Sequence, residues 1–126
     1  MNPRSAEFLD AARRRLSAAA TVVHDDPSTA LSAAYHAMLY GVRAALSERD
    51  IYAKTHQGAW HEFRRAFVET GDFDADLAAA AHKVQREREQ ADYDAWAVPA
   101  DEAARVIELA RGFVTAIDEM LDRLAG

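Results

Sequence analysis

The chain has 126 residues and a net charge of −6, with 50% hydrophobic and 29% charged residues and no cysteine. That is long enough for one domain, 1–126, with a real core, and too apolar for a disordered segment. The composition excludes disulfides, thiolate catalysis and cysteine-ligated zinc; the acidic balance argues against a broad grip on nucleic acid but leaves room for a local basic cleft. Abundant alanine, with only five glycines and three prolines, favours an all-α fold. No apolar run approaches the roughly 20 residues that span a bilayer. Met1-Asn2-Pro3-Arg4 leads into a charged amphipathic pattern and not a signal peptide, so a cytoplasmic protein is expected.

The first predicted helix runs from about Ser5 to His24, with Leu9, Ala12, Leu16, Ala19 and Val23 on one face. Pro27 starts the second, with Ser28 as its expected cap, and it continues to about Arg49. Its core stripe is Leu31, Ala34, Tyr35, Met38, Val42, Ala45 and Leu46. Beside it lies a stripe of small residues, Ala30, Ala33, Ala37, Gly41 and Ala44, which lets another helix come close, inside a bundle or across a dimer. A third face carries His36, Tyr40 and Arg43, which read either as part of a site or as an ordinary polar face. Asp50 to Lys54 is a loop, and Thr55 caps a third helix predicted over His56–Thr70, with Ala59, Trp60, Phe63 and Phe67 as an aromatic stripe and Gly71 beyond its end. His56 and His61 lack the spacing of a zinc motif, and no metal or cofactor site is expected.

Asp72 or Asp74 caps a fourth helix reaching about Tyr93, whose apolar stations are Leu77, Ala80, Ala81 and Val84. Its next stations are Arg88, Ala91 and Asp92, so the stripe turns ionic without a glycine or proline to end the helix. A solvated helix end or an i,i+4 pair of Arg88 with Asp92 would explain this as well as a site would. After a loop through Pro99, the last helix carries Ala103, Val106, Ala110, Phe113, Ile117, Met120 and Leu124 at alternating steps of three and four, with Gly112 open to close approach by another backbone. Short connections predict an up-down antiparallel bundle of four to five helices.

Three stretches together resemble the HEPN domain family: Ala34 to Leu46 on the second helix, Lys54-Thr55-His56-Gln57-Gly58 before the aromatic helix, and Arg88-Glu89-Gln90-Ala91-Asp92-Tyr93 on the fourth. The resemblance is to small stand-alone members and covers nearly the whole chain. It implies a homodimer paired with a minimal nucleotidyltransferase in a toxin–antitoxin or defence module. It also implies RNA binding or metal-independent RNA cleavage at a cleft between subunits. On the family's Arg-x4-6-His pattern Arg86 takes the Arg place, Glu87 the polar place and Tyr93 the Tyr place, while the His place falls on Ala91. Arg86, Arg88, Tyr93 and His56 are thus the candidate catalytic residues, and Tyr35, His36, Arg43, Thr55 and Asp92 the candidate binding residues. Tyr93 is also the candidate for nucleotidylation. Ala91 leaves an alternative open, a non-catalytic interaction or substrate-binding subunit of the nucleotidyltransferase, since alanine can neither donate nor accept a proton.

Overall fold

Side-chain caps and prolines set where the helices begin. Asn2 accepts from the Ser5 amide ahead of α1 (Pro3–Val22), and Asp26 accepts from the Thr29 amide ahead of α2 (Pro27–Ser47). The cap of α2 is therefore Asp26 and not Ser28, because Pro27 takes the first helical position, where its fixed φ fits and its missing N–H costs nothing. Thr55 caps α3 (His56–Phe63), accepting from the Gly58 amide at 2.9 Å. A Cβ on Gly58 would lie 2.9 Å from that same hydroxyl oxygen, so the small residue makes room for the cap. Thr55→Ala is expected to cost about 1 kcal/mol, read as a lower thermal midpoint, with Thr55→Ser close to wild type. α4 (Ala75–Asp94) starts behind Asp74, which accepts from the Leu77 amide, and α5 (Ala100–Ala125) follows Pro99.

The computed structural model describes residues 1–94 and 97–126, and the side chains of 1–90 and 97–126. Among them are five α-helices and no strand. The third helix differs from the expected single run to Thr70. After Phe63 it widens into one π turn, Arg64–Val68, in which the Glu69 amide donates to Arg64 O. Within that turn Phe67 is buried and Arg64 is exposed. Gly71 then ends the segment at φ 82°, a left-handed conformation that costs glycine little.

Helix directions can be read from side-chain ties. Asn2 and Ser5, at the start of α1, bond to Ser47 O, Ala44 O and the Glu48 carboxylate at the end of α2. Arg88 near the end of α4 bonds to Ser32 near the start of α2. Arg105 early in α5 pairs with Glu87, and Arg123 late in α5 donates to Asp72 O just before α4. Each of these pairs is antiparallel, as an up-down bundle requires. α2 touches every other helix. Gly41, on its small-residue stripe, faces α5: a Cβ there would sit 3.5 Å from Ile117 and 3.7 Å from Phe113.

The predicted stripes of α1, α2, α3 and α5 are buried down to single residues, apart from Ala33, which is half-buried, and Leu124, which is 40% exposed. A Cβ on Gly112 would meet nothing within 4 Å among the described residues, so none of their backbone makes the close approach that the glycine would allow. In α4 the inward residues are Ala78, Ala81, Val84 and Gln85, while Ala80 is exposed and Leu77 half-buried. The helix is turned by part of a residue step from the expected face, so that Gln85 replaces an apolar group. Rings fill the centre. Phe63, Phe67, Phe73, Phe113 and Trp60 are joined by centroid distances of 5.1 to 6.3 Å. No helix of the described residues is long and apolar enough to cross a membrane.

Candidate functional site

Tyr35 is fully buried, and polar groups from three helices meet on it. Its hydroxyl accepts from Trp60 Nε1 at 3.2 Å. The Arg88 guanidinium lies over its ring, 5.5 Å from the centroid, while Arg88 Nε donates to Ser32 Oγ at 3.2 Å. The His36 and His56 rings stand 5.6 and 5.9 Å from Tyr35 and 6.1 Å from each other, nearly perpendicular. His36 Nδ1 is 2.8 Å from Ser32 O; a carbonyl only accepts, so Nδ1 carries the hydrogen and Nε2 is left for other work. Arg43 Nη1 donates to Ala53 O at 2.8 Å and so ties the loop before α3 to α2, which fixes where His56 begins its helix. The Thr55 hydroxyl is occupied as the cap.

The electrostatics follow from this crowding. Burial, then the nearby positive charge of His36, Arg43 and Arg88, holds the His56 imidazole below the ordinary histidine range, with Glu89 opposing. Burial pushes the Tyr35 phenol up, so it stays protonated; the Trp60 hydrogen bond and Arg88 offset part of this. Tyr35 thus acts as the floor that positions Arg88 and the two imidazoles. His82 belongs to the next cluster along α4. It stacks on Trp60 with centroids 5.0 Å apart and planes at 10°, and burial followed by Arg64 and Arg86 lowers it too, against Gln85 and Glu89.

Two folded-state histidines lowered in this way make stability depend on pH. The unfolded chain takes up these protons first, as pH falls through about 6.5. Stability present above that value is therefore lost on acidification until the folded imidazoles charge as well. Urea unfolding between pH 7.5 and 5.5 is expected to lose part of this decline in His56→Asn and in His82→Asn.

The candidate residues divide between two neighbouring places. Arg88, His56, Tyr35, His36 and Arg43 come together, with Thr55 holding the helix start. Arg86 does not join them: two residues from Arg88 on a helix is about half a turn away. It lines a cleft of about 470 Å³ between the π turn and α4, with Gln57, Arg64, His82, Lys83 and Gln85. Glu89 stands between the two, on the cleft wall and within electrostatic reach of His56, Tyr35 and His82. Sequence reasoning missed His82, Gln85 and Arg64. The i, i+3, i+4 and i+7 spacing of His82, Gln85, Arg86 and Glu89 was a usable signal. Arg64 depended on a π turn with no local signature. Glu87, which takes the polar place of the family pattern, has its ion pair with Arg105. The side chains of Ala91, Asp92 and Tyr93 lie outside the described residues.

A family model for the HEPN domain matches residues 4–120. The chain belongs to the HEPN domain family. All the α2, α3 and α4 stretches quoted above fall inside the match. Among curated relatives, this HEPN chain is 35% identical over 66 residues to a Methanocaldococcus jannaschii protein named “Putative toxin”, over 52% of this chain and 45% of that protein. The chain thus spans less than half of that relative's length. It is 28% identical over 97 residues to a UPF0332 protein of Thermotoga maritima, over 76% of this chain and 74% of the relative. No solved structure matches this HEPN chain significantly.

Proposed function

We propose that this HEPN protein is the toxin-like subunit of a two-protein module, binding and cleaving RNA without a metal and controlled by a minimal nucleotidyltransferase. The observation that carries this reading is the convergence of His36, His56 and Arg88 on Tyr35. A histidine held below its ordinary pKa is neutral at pH 7 and suited to accept a proton. In the proposed step His56 takes the ribose 2′-hydroxyl proton, and the 2′-oxygen attacks the adjacent phosphorus. The phosphorus–5′-oxygen bond breaks, and His36 in its charged form gives a proton to that leaving oxygen. A cyclic 2′,3′-phosphate is left. Arg88 and Arg43 stabilise the charge gathering on the phosphorane oxygens. A homodimer would bring two copies of the α4 segment together, with Tyr93 and Asp92 at the shared cleft. The name of the archaeal relative supports the toxin reading.

The alternative is a non-catalytic subunit that binds the nucleotidyltransferase or its substrate. Ala91, standing where the family's nuclease pattern has His, favours it. Incubating the purified protein with RNA decides between them. Cleavage that is lost in His56→Ala supports the first reading; no cleavage by the wild type, or equal cleavage by the variant, overturns it. Growth arrest on expression, relieved by a co-expressed nucleotidyltransferase, is incompatible with the non-catalytic reading.

A further inference from the structure

The face of α2 that carries His36 continues beyond the reacting groups. Ser32, His36, Tyr40, Arg43 and Ser47 recur at steps of four, four, three and four, which keeps them on one stripe of the helix. One end of the stripe, Ser32 and His36, lies at Arg88 and His56. Arg43 and Ser47, roughly 10–16 Å further along the axis, lie where α1 begins, since Asn2 donates to Ser47 O. On α1, Arg4, Phe8 and Arg15 share a flank at steps of four and seven. Side chains of the two helices join in a row there. The Arg4 guanidinium lies over the Phe8 ring at 5.5 Å, Phe8 stacks on Tyr40 with centroids 6.1 Å apart, and Arg15 lies over Tyr40 at 5.9 Å.

Charge pairing separates these arginines from their neighbours. Arg13 and Arg14 pair with Asp118 and Asp10. Arg15, Arg4 and Arg43 have no carboxylate partner among the described residues. A cation–π contact holds a guanidinium and takes none of its hydrogen-bond donors, and Arg43 uses one of its five on Ala53 O. In a chain of net charge −6, this row is a local cationic surface whose donors are largely free. It ends in a pocket of about 220 Å³ lined by Arg4, Phe8 and Arg43 and, from the loop after α2, by Asp50, Ile51 and Tyr52. Two cations face one carboxylate there, while the nearby Glu48 is engaged by Asn2 and Ser5. Tyr52 has no ring or guanidinium against it among the described residues and is 73% exposed, so its ring stands open at the pocket.

Arg43 belongs to both places: it acts electrostatically on His56 and it lines the pocket. A polyanion held at the reacting groups therefore meets the row without leaving the surface. Phosphates spaced along a strand suit separate arginines, and an open ring suits an unpaired base. A membrane surface or an acidic peptide would use the charges and has no need of the ring.

We propose that the α1–α2 face is a track for single-stranded RNA, on which Arg4, Arg15 and Arg43 hold phosphates and Tyr52 stacks one base of the strand leaving His56 and Arg88. The proposal rests on the RNA reading for where the strand enters. The grip of the track is separate from cleavage.

The test is fluorescence anisotropy, over a range of salt, with a labelled 2′-fluoro octaribonucleotide, which lacks the attacking hydroxyl. Arg4→Ala/Arg15→Ala is expected to weaken binding about tenfold and to lower the slope of log affinity against log salt by about 1.4, the value for two strand phosphates. Arg14→Ala/Arg111→Ala removes the same charge from exposed arginines off the track and should stay within about twofold of wild type. Tyr52→Ala should lose about fivefold with this octamer and nothing with an octamer of abasic spacer phosphates, and Tyr52→Phe should bind as the wild type does. The substituted side chains are all exposed, so none of these variants loses core.

Equal weakening by the two double variants overturns the track, because it reduces the effect to net charge. So does a Tyr52→Ala protein that keeps wild-type affinity for the base-bearing octamer, or a wild type that does not bind it. Displacement of the octamer by an oligoglutamate of equal charge, as readily as by unlabelled RNA, also overturns it and identifies an acidic protein as the occupant. RNA cleavage by a wild type whose track variants bind unchanged overturns the track and leaves the ribonuclease reading standing. Track-dependent binding by a wild type that cuts no RNA does the reverse.

Discussion

Trp60→Ala is expected to cost about 3–5 kcal/mol, the range for truncating a large buried aromatic ring. In a domain of this size that lowers the melting temperature by roughly 10–20 °C. Trp60 is fully buried and touches Phe63, Phe113 and His82, while its Nε1–H donates to the Tyr35 hydroxyl. The truncation therefore opens a cavity in the core and leaves the buried phenol oxygen without its donor. Trp60→Phe keeps most of the ring area and loses the hydrogen bond, with an expected cost of about 1–2 kcal/mol. Thermal melting followed by circular dichroism checks both. A Trp60→Ala protein that melts within a few degrees of wild type would mean the ring is not the support common to both clusters.

The second large effect is on RNA cleavage. His56→Ala is expected to reduce kcat/KM by about 10²–10⁴-fold, the usual contribution of a positioned general base. The pH profile separates this role from a structural one. The base works in its neutral form, and its pKa in the fold lies below the ordinary histidine value because of burial and the adjacent positive groups. The acid limb, along which activity rises with pH, should therefore have its midpoint below about 6.5. Arg88→Ala removes one of the charges that lower His56, so this acid limb should move to higher pH in that variant. An acid limb that stays where it is in Arg88→Ala would detach the limb from His56.

The helical stripes were legible because they are local: spacings of three and four place Leu9 to Val23 or Val106 to Met120 on one face whatever the surroundings. Caps were legible wherever the side chain and the helix start are adjacent, as at Thr55 and Asp74. Ser28 misled because serine is a good cap in general, whereas Pro27 before it had already taken the first helical turn and passed the role to Asp26. In α4 the alanines at 78, 79, 80 and 81 look alike by composition, so only packing against α2 and α5 decides that 78 and 81 face inward. The site was half legible. His36 and Arg43, His56, and Arg88 were each visible on their own helices, but their meeting on Tyr35 joins residues 35, 56 and 88, which no local pattern encodes. Arg86 and Arg88 were grouped by sequence nearness, and the helical pitch parts them.

The position of α2 has a consequence for how the chain can come apart. Every other helix packs on it, and both polar clusters depend on rings or hydroxyls that it presents or that lean on Tyr35. There is thus no internal seam along which one half could stay folded while the other opens. Loosening of α3 or α4 at a ligand's approach must be local fraying against a fixed axle, and α2 itself is released only when the whole domain unfolds. In such an arrangement motion near the clusters and the integrity of the fold are separate quantities, and either can change without the other.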